Sequence, residues 1–578
     1  MPNGVRSILD EKRNAPVTQS SSSLASSSSA SSSAASIALT RFGLGAGPGQ
    51  IDGLGDARGW LEAQVTSNGA PNPPGSFTGS EARMQDFLAY QADAAQVRQS
   101  RREPGAEAAP TSGQAPARRM PRRMPAQPDA GQAVSGGAMS GGAMSGQAMA
   151  ESATTAPEQP MSGEAQAAFD ARRDSRRGLV QDTAQEFLAR TKWGVTTDAG
   201  FAERWALFWA NSFTVSATKF QSAIFMGQYE REAIRPHVFG RFDDLAVAAE
   251  QHPAMLLYLD QAQSIGPDSR AGQRRQAGLN ENLAREIMEL HTLGADGGYA
   301  QADVTEFARA LTGWSVPARR DLAGGQGGGL GGGQGRGGRR AARRNGGALQ
   351  AAIRGEPGEN GFVFRPIVHE PGTRTVLGKT YPEGEEGQGE AILRDLANRP
   401  ETARRLARKI AVHFVSDDPP ASLVGKLEEA WKSSHGDLSV VARALIAAPE
   451  SWTPQPTKIK TPYEFIVSTH RALGTRPQRP QPLQQALIAM GQPAFSAPSP
   501  EGWPDTAADW AGPDALVKRL DWSRTVADLA APSSDPNAVA AAALGARLGE
   551  RTRLAVSRAE SRPEALTLFL MSPEFQRR

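Results

Sequence analysis

The sequence predicts an all-α fold, a single multi-helix domain of many short helices with one small β-hairpin and long disordered insertions. Three observations predict it. Apolar residues recur at three- and four-residue spacing through most of the foldable chain. Only two short stretches look extended. Three segments lack the apolar side chains needed to offset ordering entropy. What remains of the 578 residues is ample for a sizeable core.

In chain order, residues 1–36 run from MPNGVRSILDEKRNAPVTQ into a Ser/Ala tract and read as a disordered tail. Ile8 and Leu9 are isolated, and no apolar run of signal-peptide type follows Arg6. A cytoplasmic location is the default expectation. Residues 37–98 begin the helical domain. Residues 99–163 contain PARRMPRRMPAQP and GGAMSGGAMSGQAM, and read as a flexible insertion rather than a Met-based metal tract. Residues 164–321 carry helical patterns at 201–213, 243–263, 280–294 and 302–314. Residues 322–347 are Gly/Arg-rich coil. Residues 348–578 open with FVFRPIV (362–368) and TRTVLG (373–378), which together supply the hairpin. Helical patterns then return at 400–416, 421–434 and 438–449.

Composition excludes several classes. There is no Cys, hence no disulfide, thiolate zinc site or cysteine nucleophile. No apolar run approaches the ~20 residues that span a bilayer. The formal charge is +3, yet residues 324–347 hold five Arg and no acid, and residues 98–163 hold seven Arg against five acids. The remainder is therefore net acidic, and nucleic acid is not an expected partner.

The segment NENLAREIMELHTLG (280–294) carries the most information. On a regular helical wheel, Glu281, Asn282, Arg285, Glu286 and Glu289 share one face. Leu283, Ala284, Ile287, Met288 and His291 share the other. A solvated face would explain this, with Glu281–Arg285 and Arg285–Glu289 pairs worth about 0.2–0.5 kcal/mol each. A polar site would explain it too, since carboxylates at this spacing suit a hard cation or acid/base work. His291 falls in the apolar arc, as a core histidine bonded to a backbone carbonyl. In the next helix Asp303 is the expected cap, with Glu306 returning the bond. The short turn GADGGYAQ makes the two helices antiparallel neighbours. Arg309 then faces the first helix, as an acid-pairing strut or an anion binder.

These residues resemble a known family. NENLAREIMELHTLG followed by YAQADVTEFARALTGW is similar to the signature of the bacterial domain of unknown function 1800 family. ALTRFGLGAGPGQ (38–50), ERWALFWANSF (203–213), HPAMLLYLD (252–260), HEPGTRTVLGKTY (369–381) and FSAPSPEGWPDTAADW (495–510) resemble its other blocks, in order. The resemblance implies a helical protein and no established reaction. It also implies relatives that are often exported, and often encoded beside a sulfatase-like family, domain of unknown function 1501. The family's Trp-His-Asn-His-Phe pattern reads Trp209-Ala210-Asn211-Ser212-Phe213 here. Its usual Asp and Lys after the histidine of the 369 block are Glu370 and Arg374.

Two functions follow as expectations. In the first, a hydrolase-like enzyme brings the 281–289 face and His369-Glu370 into one pocket. Glu281, Glu286, Glu289 and His369 are its catalytic candidates. Glu286, Glu289, His369 and Glu370 could hold a divalent metal. Asn282, Arg285, Arg309, Asn211, Trp209 and Trp314 are its substrate-binding candidates. In the second, the helical body is a non-catalytic scaffold or assembly factor for a sulfatase-like partner, and the acidic helix is a buried salt-bridge network. No nucleophile elbow, phosphate loop or His-Glu-x-x-His zinc motif is present. FGLGAGPGQ lacks a preceding strand and is not read as a dinucleotide loop.

Overall fold

Apolar side chains at every third or fourth position do build helices, and the all-α class holds. The structure, a computed structural model, describes residues 31–100, 163–275, 278–318 and 355–578. The readings for residues 1–30, 101–162 and 322–347 lie outside the described residues. The tail ends earlier than expected. Residues 31–37 are helical, Ala35 and Ser36 are fully buried, and Ser36 Oγ donates to the Leu544 carbonyl at 3.1 Å. The chain divides into two compact units where the sequence suggests one domain. They are Met1–Ala89 with Ser175–Arg578, and Tyr90–Asp174. In the second, the described residues are helical, and the Arg172 guanidinium lies 5.5 Å from the Tyr90 ring centroid.

In the first unit, helix α1 (Gly200–Ser212) carries four aromatic side chains inward. Trp205 stacks on Phe239 at 6.2 Å, and Trp209 lies 5.5 Å from Phe242 and 6.4 Å from Trp431. Such ring pairs add about 0.5–1.5 kcal/mol each beyond the area they bury. Helix α2 (Phe242–Gln251) stops at His252 because Pro253 follows. Proline disfavours helical backbone before it but suits the first turn after it. The pattern at 243–263 is therefore two helices and a short 3-10 turn.

Helix α3 (Asn282–Glu286) runs into a π-helix at Ile287–His291, where Thr292 N–H donates to the Ile287 carbonyl at 2.8 Å. The widened turn shifts every side chain beyond Ile287 off the regular wheel. Helix α4 (Gln301–Leu311) follows it. Its N-cap is Ala300, and Asp303, at the third position, accepts from the Ala300 N–H at 2.8 Å. Glu306 instead pairs with Arg309 at 3.6 Å and Arg374 at 3.2 Å.

The expected hairpin is two small antiparallel sheets. Strands β1 (Trp314–Ser315), β2 (Glu356–Pro357) and β3 (Val363–Phe364) form one, in the order β1-β3-β2. Strands β4 (Arg374–Val376) and β5 (Lys379–Tyr381) form the other. FVFRPIV thus pairs with the distant Trp314–Ser315 and with the nearby Glu356–Pro357, and TRTVLG folds back on its own continuation. Helices α5 (Pro400–Phe414), α6 (Pro462–Ala472) and α7 (Pro513–Ala530) each begin with proline at the first turn. No described helix is long and apolar enough to cross a membrane.

The glycines of FGLGAGPGQ serve packing. At Gly45 φ is +111°, and a Cβ there would lie 2.9 Å from Ser468 Cβ. Arg204 and Arg471 donate to the Gly43 and Gly45 carbonyls, each at 2.7 Å.

Candidate functional site

The sequence-predicted residues fall into separate groups. Glu281 sits at the head of α3 and ties it to α4. Its carboxylate accepts from Thr305 Oγ1 at 2.7 Å, Gln301 Nε2 at 2.8 Å and Arg285 Nη2 at 3.2 Å. The Thr305 bond above all holds its pKa below the usual value. Arg285 also donates to Gln301 Oε1 at 2.9 Å, so it is not a buried partner of Glu286. Asn282 is exposed. Glu286 is half-buried, and burial raises its pKa. Glu289 is half-buried on the π-turn. His291 is fully buried, and its Nδ1 lies 2.6 Å from Glu250 Oε1; its partner is a carboxylate, not a backbone carbonyl.

The second group centres on Thr312. His369 Nδ1–H donates to the Thr312 carbonyl at 2.7 Å, and burial lowers its pKa. Glu370 is fully buried. It accepts from Arg309 at 2.5 Å and from the Asp268 N–H at 2.8 Å. Arg309 is therefore a strut for Glu370 rather than a neighbour of Glu286. No hydrogen bond or ion pair among the described residues joins Glu281, Glu286 or Glu289 to His369 or Glu370. Nor do three His, Cys, Asp or Glu side chains among the described residues group to hold a metal ion. The set Glu286, Glu289, His369 and Glu370 is not assembled. Trp209 and Trp314 are core residues, 0% and 1% exposed, not walls of a pocket.

Of the expected residues, Asn211 lines a cleft. This cavity, of about 130 Å³, is lined by Arg190, Arg204, Ala210, Asn211, Glu230, His413, Tyr463, Glu464, Trp503 and Asp505, among others. Local rules place each element. Thr461-Pro-Tyr-Glu464 is a capping box that starts α6. Thr461 Oγ1 accepts from the Glu464 N–H at 3.3 Å, and Glu464 Oε2 accepts from the Thr461 N–H at 2.9 Å. The same carboxylate takes Arg204 and, at 3.0 Å, Arg578. Burial pushes Glu464 up, but these two cations overcome it and hold the carboxyl very low. Asn211 fixes the Gly-Trp-Pro loop. Its Oδ1 accepts from the Trp503 N–H at 2.8 Å, and its Nδ2 donates to the Trp503 carbonyl at 3.0 Å. Gly502 permits this approach at φ +94°, since a Cβ there would stand 2.5 Å from the Asn211 carbonyl oxygen.

The loop delivers Asp505 to His413 on α5. His413 Nδ1 donates to Asp505 Oδ2 at 2.6 Å, and Nε2, closed to solvent, has no hydrogen-bond partner among the described residues. Burial lowers the His413 pKa, so its imidazole is neutral at pH 7. Burial works against the Asp505 charge, but His413, Arg578 and Lys458 keep it ionised. A neutral imidazole with Nδ1–H on a carboxylate presents its lone pair at Nε2, the arrangement of an oriented base.

A second histidine mimics this and fails. His252 Nε2 lies 2.9 Å from Ser80 Oγ and 3.4 Å from Glu232 Oε2. Its Nδ1 accepts from the Ala254 N–H at 3.1 Å. The proton must then sit on Nε2, which donates toward Ser80 and cannot activate it.

A family model described as "Protein of unknown function (DUF1800)" matches residues 37–577. The chain belongs to the DUF1800 family. No curated protein and no solved structure matches it. In this DUF1800 chain three of the blocks that carry the resemblance, 38–50, 203–213 and 495–510, contribute residues to the cleft. Ala210 of the Trp-Ala-Asn-Ser-Phe block lines it, while Ser212 is buried. Trp503 and Asp505 come from the C-terminal block. Sequence reasoning missed His413, Asp505, Arg204 and Glu464. Signals did exist: Arg204 and Asp505 lie in the 203–213 and 495–510 blocks, and His413 lies on a patterned helix. Arg405, Lys409 and His413 form a polar stripe at four-residue spacing on an otherwise amphipathic helix.

Proposed function

We propose that this DUF1800 chain is a hydrolase-type enzyme whose acid/base centre is His413 with Asp505. The observation that carries this reading is the 2.6 Å bond from His413 Nδ1 to Asp505, which leaves the buried Nε2 of this cleft-lining residue unpartnered among the described residues. In the proposed step Nε2 takes a proton from water, the resulting hydroxide attacks an ester, and the imidazolium returns the proton to the leaving oxygen. Asp505 orients the ring and stabilises the imidazolium.

The test is turnover of 4-nitrophenyl acetate, phosphate and sulfate by the full chain. His413→Asn and Asp505→Asn should each lose about 10²- to 10⁴-fold. Glu286→Gln should keep its turnover. No turnover of any ester, or a fully active His413→Asn protein, would overturn the reading.

One observation favours a partner-binding role as a second reading. Leu516, Val517 and Leu520 share one face of α7 and are 39%, 56% and 38% exposed. A purified sulfatase-like protein of the domain of unknown function 1501 family should then bind the wild type and not Val517→Asp. Equal binding by both proteins would remove this face as the interface.

A further inference from the structure

Arg405, Lys409 and His413 stand at successive turns of α5, away from its buried face of Leu406, Ile410 and Phe414. Arg405 crosses Gly294 at the end of the α3 segment. A Cβ on Gly294, where φ is +92°, would lie 2.8 Å from Arg405 Cδ and 3.2 Å from Nε. The bare glycine makes room for the arginine stem. Arg405 Nη1 is closed to solvent and has no hydrogen-bond partner among the described residues.

The two arginines that line the cleft are committed, Arg204 to Glu464 and Arg190 to Glu230, and Lys458 is committed to Asp417. Arg405 and Lys409 make no ion pair among the described residues. Burial, then the charge of Arg405, lowers the Lys409 pKa to about 8, against the opposing pull of Glu501 and Asp505. Two neighbouring cations without a partner are an unfavourable pair until an anion joins them.

We propose that Arg405 and Lys409 form a subsite for an oxyanion, a carboxylate, phosphate or sulfate, on the substrate that His413 and Asp505 act upon. The assignment rests on the hydrolase reading of the cleft. A guanidinium and an ammonium one turn apart can share one oxyanion, the first by a planar fork and the second as a point charge. The anion would be held one turn of α5 from the His413 base.

Isothermal titration of the full chain with sodium phosphate, sulfate and acetate, each separately, tests this. At least one anion should bind, and the preferred one names the group. Arg405→Gln and Lys409→Gln should each weaken it by about tenfold or more. Lys409→Arg, which keeps charge and bulk, should retain binding, and so should His413→Asn. Because binding is read without turnover, loss of the hydrolase reading would show in the ester assay and leave this result standing. Failure of all three anions to bind would overturn the proposal. So would unchanged affinity in a folded Arg405→Gln/Lys409→Gln double variant.

Discussion

Asn211 and Trp503 stand 292 positions apart in the chain and are bonded twice, amide oxygen to N–H and amide nitrogen to carbonyl. This paired contact sets the Gly-Trp-Pro loop against α1 and carries Asp505 to His413. It makes Asn211 a positioning residue of the cleft.

Asn211→Ala removes both bonds and leaves two backbone groups of Trp503 without their protein partner. The expected cost is about 1–3 kcal/mol. Urea denaturation should show it as a lower midpoint. Limited proteolysis should cut earlier within 495–510 than in the wild type.

Glu464→Gln should destabilise far more. Arg204 and Arg578 are 3% and 0% exposed at the side chain and share this one carboxylate. Removing its charge leaves two buried cations underpaired, a loss of about 3–5 kcal/mol. Calorimetry decides it, and a melting temperature within a degree of wild type would contradict the network.

Glu370→Gln and Glu286→Gln should part company. Glu370 is fully buried on Arg309, so its loss should cost about 3 kcal/mol. Glu286 has no ion pair among the described residues, and burial already disfavours its charge. Its neutral replacement should leave the melting temperature unchanged or slightly raised.

Stability should fall as pH drops through about 6.5. Burial holds His237, His252, His369, His413 and His470 below the ordinary imidazole range, His470 at about 4. The unfolded chain protonates these side chains first and so gains protons relative to the folded one, which favours unfolding. Glu464 and Asp505, whose folded pKa values are depressed, add a second loss below roughly pH 4.5. Guanidinium titrations at pH 8, 6.5 and 5 should give a midpoint that is lower at pH 6.5 than at pH 8 and lower again at pH 5.

The sequence by itself determined the all-α class, the family, the antiparallel pairing of α3 with α4 and the Glu281–Arg285 pair. These depend on spacing within a few residues, where local geometry leaves little choice. It also marked Asn211, through the block that contains it. The tertiary structure alone decided the rest. The π-turn at Ile287 moved the end of the acidic face off the regular wheel. Thr312 drew His369 and Glu370 into a buried cluster of their own. Asp505 met His413 across 92 residues of chain. A side chain's partner over such a distance is set by how helices pack and loops dock, and no periodicity along the chain records that.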